Sequence, residues 1–175
     1  MWNVALVGHS QIPTQITLED ANLAVFRAPG GKARSFYTDD RLRSVLSWSG
    51  DICVLWVGSN DIVDGISPVG LADVIVEIVQ RIEVTCGAIV IVCLVEPRLY
   101  PAGIPVDHTS YRKIQRAVNK HLQRKLSNRF VQFNTNSYVT ELARDGVHFT
   151  QAGRNLIRDR IEKAVRSVTD VSDVE

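Results

Sequence analysis

Two stretches of this chain, I-C-V-L-W-V at residues 52–57 and A-I-V-I-V-C-L-V at residues 88–95, are apolar at every position. A strand with one wet face alternates apolar and polar side chains. A strand without alternation must be covered on both faces, which is the condition of a strand inside a parallel sheet. Three further runs also read as buried strands, so the set is Trp2–Gly8, Leu23–Arg27, Asp51–Val57, Ala88–Val95 and Arg129–Asn134. Between them lie stripes at helical spacing. Leu71, Val74, Ile75, Ile78, Val79 and Ile82 form one, Tyr111, Ile114, Val118, Leu122 and Leu126 a second, and Leu156, Ile157, Ile161, Val165 and Val168 a third. A shorter helix is expected from Phe36 to Leu46. Strands alternating with helices predict a three-layer α/β/α sandwich on a five-stranded parallel sheet with right-handed crossovers. Ligands in such folds bind at the carboxyl ends of the strands.

The chain has 175 residues, enough for one domain, expected over residues 1–169, with residues 170–175 as a disordered acidic tail. A formal charge of +1 marks the whole molecule as neither a polyanion binder nor an acidic solvating chain. No apolar run reaches the roughly 20 residues of a membrane-spanning helix. Residues 1–8 read as a core strand rather than a leader, so an intracellular, cytoplasmic location is expected. Cys53, Cys86 and Cys93 have neither metal nor redox spacing and read as buried thiols. No metal and no cofactor is expected.

Four short polar motifs sit where strand-like runs end or a helix begins. They are Gly8-His9-Ser10-Gln11, Pro29-Gly30-Gly31, Gly58-Ser59-Asn60-Asp61 and Asp145-Gly146-Val147-His148. Each alone has a plain structural reading. Ser10 suits a turn or a cap, Gly30 and Gly31 a tight turn, Asn60 an Asx-turn, and D-x-x-H a surface turn before a helix capped by Thr150. Together they supply a hydroxyl, a base to take its proton, a carboxylate three residues before that base, and donors for an oxyanion. Ser10 lacks the second glycine of a G-x-S-x-G elbow, since Ile12 stands there, and the first turn lacks the G-x-G-x-x-G of dinucleotide sites.

The ordered set resembles the SGNH hydrolase superfamily, the GDSL-type esterases and lipases. Ser10 matches its first block, Gly30 the second (with Gly31 as a register alternative), Asn60 the third and His148 the fourth, while Asp145 matches the Asp three residues before the His. The resemblance covers nearly the whole chain. It implies a flavodoxin-like sandwich and metal-free hydrolysis of short-chain carboxyl esters through an acyl-enzyme on Ser10. His148 and Asp145 would complete the triad, and the Ser10 N–H, the Gly30 N–H and the Asn60 amide would hold the oxyanion. One departure stands out, because the family block reads G-D-S and this chain reads G-H-S. His9 therefore stands next to the expected nucleophile, where an imidazole could alter its orientation or the site's pH dependence, or substitute as the base.

Similar domains occur in the first open-reading-frame proteins of some LINE-type retrotransposons. In that setting the basic run Arg112, Lys113, Arg116, Lys120, Arg124, Lys125 and Arg129 would meet a phosphate backbone. The alternative is the solvated face of an amphipathic helix, with no nucleic-acid partner. Three functions remain open on the sequence: a short-chain ester hydrolase, an inert binding module for acylated sugar or lipid, and an acyltransferase.

Overall fold

The computed structural model describes residues 1–98, 108–133 and 147–172. Five strands form one sheet: β1 (Trp2–Gly8), β2 (Ala21–Arg27), β3 (Ile52–Trp56), β4 (Ile89–Cys93) and β5 (Arg129–Val131). Their order is β2-β1-β3-β4-β5 and every pairing is parallel. This is the doubly wound, flavodoxin-like arrangement. The register places Val4 beside Ile52 and Ile52 beside Ile89, so the three central strands run level.

The two unbroken apolar runs are explained by what covers them. Alternate residues of β1, β3 and β4 face opposite layers. Ala5, Val7, Cys53, Leu55, Val90 and Val92 pack under α3 (Pro68–Cys86) and α4 (His108–Lys125). Val4, Leu6, Val54, Trp56, Ile91 and Cys93 pack under α5 (Gln151–Ser172), through Ile157, Ile161, Val165 and Val168. Both faces are dry, so no position in these strands needs a polar residue.

Helix α3 starts at Ser67, whose hydroxyl accepts the Gly70 N–H at 3.1 Å, with Pro68 in its first turn. It ends at Gly87, which takes the left-handed conformation at φ +68°. Helix α5 is capped by Thr150 as the sequence suggested. Its Oγ1 accepts the Gly153 N–H at 3.1 Å, and its carbonyl accepts the Arg154 N–H at 2.8 Å. The helix runs on to Ser172, past the start of the expected acidic tail.

Three expectations need correction. β2 is not a buried strand but the sheet's edge, with Leu23 36% and Val25 39% exposed. Its apolar residues reflect strand propensity rather than double coverage. The single helix expected from Phe36 to Leu46 is broken into a 3-10 turn at Ala33–Ser35, a short helix α1 (Asp40–Arg43) and a second 3-10 turn at Ser44–Ser47. The break falls at Asp39, whose extended backbone and side-chain bond to the Arg41 N–H start a new helix there. The last strand ends at Val131 rather than Asn134, and Asn134 lies outside the described residues.

Cys53, Cys86 and Cys93 are buried and free, and burial pushes all three thiols up, away from reactivity. Along α4, Tyr111, Val118, Leu122 and Leu126 face the core while Lys113, Arg116, Lys120 and Arg124 face solvent. No helix of the described residues is long and apolar enough to cross a membrane.

Candidate active site

The carboxyl ends of β1, β2 and β3 carry three of the four motifs. Gly8 ends β1 where its backbone almost touches β3. A Cβ there would sit 2.0 Å from the Trp56 carbonyl oxygen, so only glycine fits. The next residue, His9, donates its backbone N–H to that same carbonyl. The chain then turns, leaving Ser10 partly exposed. The Ser10 carbonyl accepts Arg27 Nη2 at 2.9 Å, which ties the turn to the end of β2. Ser10 Oγ makes no hydrogen bond among the described residues, and the residue lines a cleft of about 260 Å³. Nucleophile contacts in empty sites are often loose and tighten only with substrate.

The second motif forms a turn closed by the Gly31 N–H donating to the Ala28 carbonyl at 2.7 Å. Pro29 and Gly30 occupy its two middle positions, and Gly30 has φ +73°, as a type II turn requires. This separates the two glycines. The Gly31 N–H is consumed inside the turn, whereas the exposed Gly30 N–H has no acceptor among the described residues.

The third motif opens α2 (Ser59–Val63). Asn60 Nδ2 donates to the Gly31 carbonyl at 2.9 Å, and its Oδ1 accepts Arg98 Nη2 at 2.7 Å. The opposite amide orientation would set NH₂ against a guanidinium and oxygen against a carbonyl, so the orientation is fixed by its neighbours. One N–H of the amide remains without an acceptor among the described residues. The next residue, Asp61, is fully buried. Its carboxylate accepts the Ala33 N–H at 2.8 Å and the Arg34 N–H at 3.0 Å, binding the 3-10 turn that follows the Gly30 turn to α2.

The fourth motif is described only in part. Asp145 and Gly146 lie outside the described residues. Val147 is buried and His148 exposed. The Val147 carbonyl accepts Gln11 Nε2 at 3.1 Å, so the residue next to Ser10 bonds the residue next to His148 across 136 positions of sequence.

The described contacts of the His9 side chain do not include Ser10 Oγ. Its ring is 1% exposed, and one nitrogen, Nε2, faces both Glu96 Oε1 at 3.1 Å and Ser59 Oγ at 3.3 Å. The other, Nδ1, accepts the Gln11 N–H at 3.2 Å. A Ser-His-Glu triad needs the hydroxyl and the carboxylate on opposite nitrogens. Here both share one, and Ser59 is itself fully buried, so this cluster is structural. The side chain that would replace the base is thus turned inward.

Sequence reasoning did not find the rest of that cluster. Glu96 and Arg98, just past the apolar run that ends at Val95, are 0% and 6% exposed. Glu96 Oε2 accepts Trp56 Nε1 at 2.8 Å, its backbone carbonyl accepts the Tyr111 hydroxyl at 2.8 Å, and Arg98 Nη2 donates to Ser59 Oγ at 2.9 Å. Burial on its own would raise the Glu96 carboxyl. The contact with His9 Nε2, the Arg98 guanidinium and the Ser59 hydroxyl outweigh it and hold the group down, to about 2. The depressed value means the ionised form is favoured by folding. Its contribution to stability is therefore complete above the ordinary value of 4.5 and is lost as pH falls towards 2. Thermal melts between pH 5 and pH 2 are expected to show this loss. In Glu96→Gln the melting temperature is expected to be lower at neutral pH and to fall less steeply over that acid window. An unchanged acid slope in the variant would assign the pH dependence to other groups.

Among the described residues, no three His, Cys, Asp or Glu side chains are grouped to hold a metal ion. The sequence matches no family model and no curated protein. The fold, however, is shared with solved structures. An acetyl xylan esterase, AlAXEase, superposes with a TM-score of 0.70 at 17% identity, over 93% of this chain and 99% of that one. A lipolytic protein of the G-D-S-L family from Veillonella parvula gives 0.73 at 16%, over 92% and 96%. A carbohydrate esterase of family 3 from Talaromyces cellulolyticus gives 0.70 at 15%, over the full length of both.

Proposed function

We propose that the chain is a serine hydrolase of short-chain carboxyl esters. The observation that carries this reading is the Gln11–Val147 hydrogen bond, which draws the Ser10 turn and the His148 segment to one end of the sheet. Esterase and lipolytic proteins on the same fold support it.

In the proposed reaction, Ser10 Oγ attacks the ester carbonyl carbon as its proton passes to His148. The carbonyl π electrons move onto oxygen, and the Ser10 N–H, the Gly30 N–H and the free N–H of Asn60 receive the negative charge. Collapse breaks the bond to the leaving alkoxide, which takes the proton from His148. Water then attacks the acyl-enzyme with the same proton traffic and releases the acid and Ser10. Asp145 carries the orienting role through the family resemblance alone. The 260 Å³ cleft beside Ser10 suits small acyl or alcohol groups rather than long chains.

The test combines fluorophosphonate labelling, with the modified residue mapped, and rates on acetyl, butyryl and decanoyl esters. Labelling at Ser10 with rates falling as the chain lengthens supports the proposal. A folded protein that takes no label and cleaves no acetyl ester would leave a binding module.

Asn60 has its own signature. Loss of one oxyanion donor typically costs about two to three orders of magnitude in turnover. Asn60→Ala is expected to lower kcat by that amount with little change in KM. A raised KM at normal kcat would mean that Asn60 binds the ground state and that the oxyanion donors lie elsewhere.

A further inference from the structure

The cleft beside Ser10 is more specific than a small apolar pocket. Three arginines line it, Arg27 from the end of β2 and Arg154 and Arg158 from the first turns of α5. Among the described residues, its lining holds no carboxylate. None of the three guanidinium groups forms an ion pair with a described residue. Arg27 Nη2 is spent on the Ser10 carbonyl and Arg154 Nη2 on Gln151 Oε1 at 3.2 Å. The Nε of half-buried Arg158 is shielded from solvent and has no hydrogen-bond partner among the described residues.

Outside the cleft the arginines divide: Arg129 and Arg166 bond a hydroxyl and a carbonyl, while others meet carboxylates. Arg34, Arg41 and Arg43, near the opposite side of the Gly30 turn, each pair with an aspartate. The net charge of +1 gives no general excess that would explain a cationic cluster. Three like charges around one small cavity repel unless an anion joins them. Arginine rather than lysine is the side chain suited to bidentate contact with a carboxylate or a phosphate. The cavity floor is apolar, built from Ile12, Trp56, Phe149 and Ile157, so it would also accept a ring or a short carbon chain.

We propose that this cleft binds an oxyanion group, carboxylate or phosphate, carried by the ester that Ser10 cleaves. The proposal rests on the esterase reading for its substrate but not for its anion site. Arg154 and Arg158 would recognise the charge, while Arg27, through the Ser10 carbonyl, also positions the nucleophile's turn.

The experiment compares three acetate esters by acetate release: 4-acetoxybenzoate, its neutral methyl ester, and 4-acetoxyphenyl phosphate. Each is run on the wild type and on the Arg154→Gln/Arg158→Gln double variant. Intrinsic reactivities of the esters cancel in the ratio of wild type to variant. The double variant is expected to lose about tenfold in kcat/KM on the anionic esters, through KM, and to stay within about twofold on the neutral one. Added KCl is expected to erode the preference in the wild type, because exposed charges are screened.

The carboxylate and phosphate arms show which oxyanion the cleft prefers. Equal losses on neutral and anionic esters, or none on either, overturn the anion site.

Calorimetry separates this site from the hydrolase. The Ser10→Ala protein, with and without the two arginine substitutions, is titrated with 4-acetoxybenzoate and with inorganic phosphate. Binding that the substitutions abolish, in a chain whose wild type cleaves no ester, upholds the anion site and overturns the hydrolase reading. Absence of binding by a protein that hydrolyses the neutral ester does the reverse.

Discussion

Ser10→Ala is expected to fold as the wild type does and to lose ester hydrolysis and fluorophosphonate labelling together. The side chain is partly exposed and its hydroxyl bonds nothing among the described residues, so its removal leaves no cavity and no orphaned partner. The backbone contacts of the turn, to Arg27 and through Gln11 to Val147, do not involve the hydroxyl. Loss of the nucleophile in a Ser-His-Asp triad costs up to about six orders of magnitude in turnover, leaving only what the oxyanion donors supply. The measurement is turnover of a chromogenic acetyl ester beside a melting curve. Full activity in a folded Ser10→Ala protein would remove Ser10 from the mechanism. Lost activity with a collapsed melting curve would show Ser10 to be structural.

The second large effect is expected at His148 and Asp145. Removing the carboxylate that orients a catalytic imidazole can cost roughly four orders of magnitude, because the ring then adopts the wrong tautomer. Asp145→Asn is expected to approach that loss, and His148→Ala to equal or exceed it. His148 is exposed, so its replacement should barely shift the melting temperature. His9→Asn serves as the contrast. It empties a buried position facing Glu96 and is expected to act first on stability. An Asp145→Asn protein with unchanged turnover would leave that carboxylate in a turn and no more.

The parts of the fold that could be read from sequence are those governed by local rules. Continuous apolar runs fixed β3 and β4 as central strands, and stripes at helical spacing located α3, α4 and α5. Thr150 was readable as a cap because the capping bonds lie within four residues. The failures share the opposite character. Leu23 and Val25 looked buried because pattern alone does not distinguish an edge strand from a central one. Glu96 and Arg98 went unread because no pattern of apolar spacing around them marks either as buried. Their partners, His9, Trp56, Ser59 and Tyr111, meet them only when β1, β3 and β4 are side by side and α4 packs over them. An acidic and a basic residue two apart, directly after an unbroken apolar strand, was the available signal. Of the site itself, the order of the motifs was legible. The choice between Gly30 and Gly31 was not, since it depends on which N–H the turn consumes.

If Gly30 and Asn60 donate to the oxyanion as proposed, the bonds made by Asn60 and Asp61 have a consequence for the shape of the reaction barrier. These adjacent residues of α2 hold the Gly31 carbonyl and the Ala33 and Arg34 amides, so the turn bearing Gly30 and the helix bearing Asn60 form a single clamped piece. Donors that shift independently must be gathered as charge appears on an oxygen, and that gathering adds to the activation energy. Donors clamped together start the reaction already aligned. Most of that alignment is set during folding, when Asp61 is buried, and need not be repeated at each turnover. Asp61, which touches neither nucleophile nor base, would then govern the rate at which charge can be accommodated, as a foundation governs the trueness of a doorway it never meets.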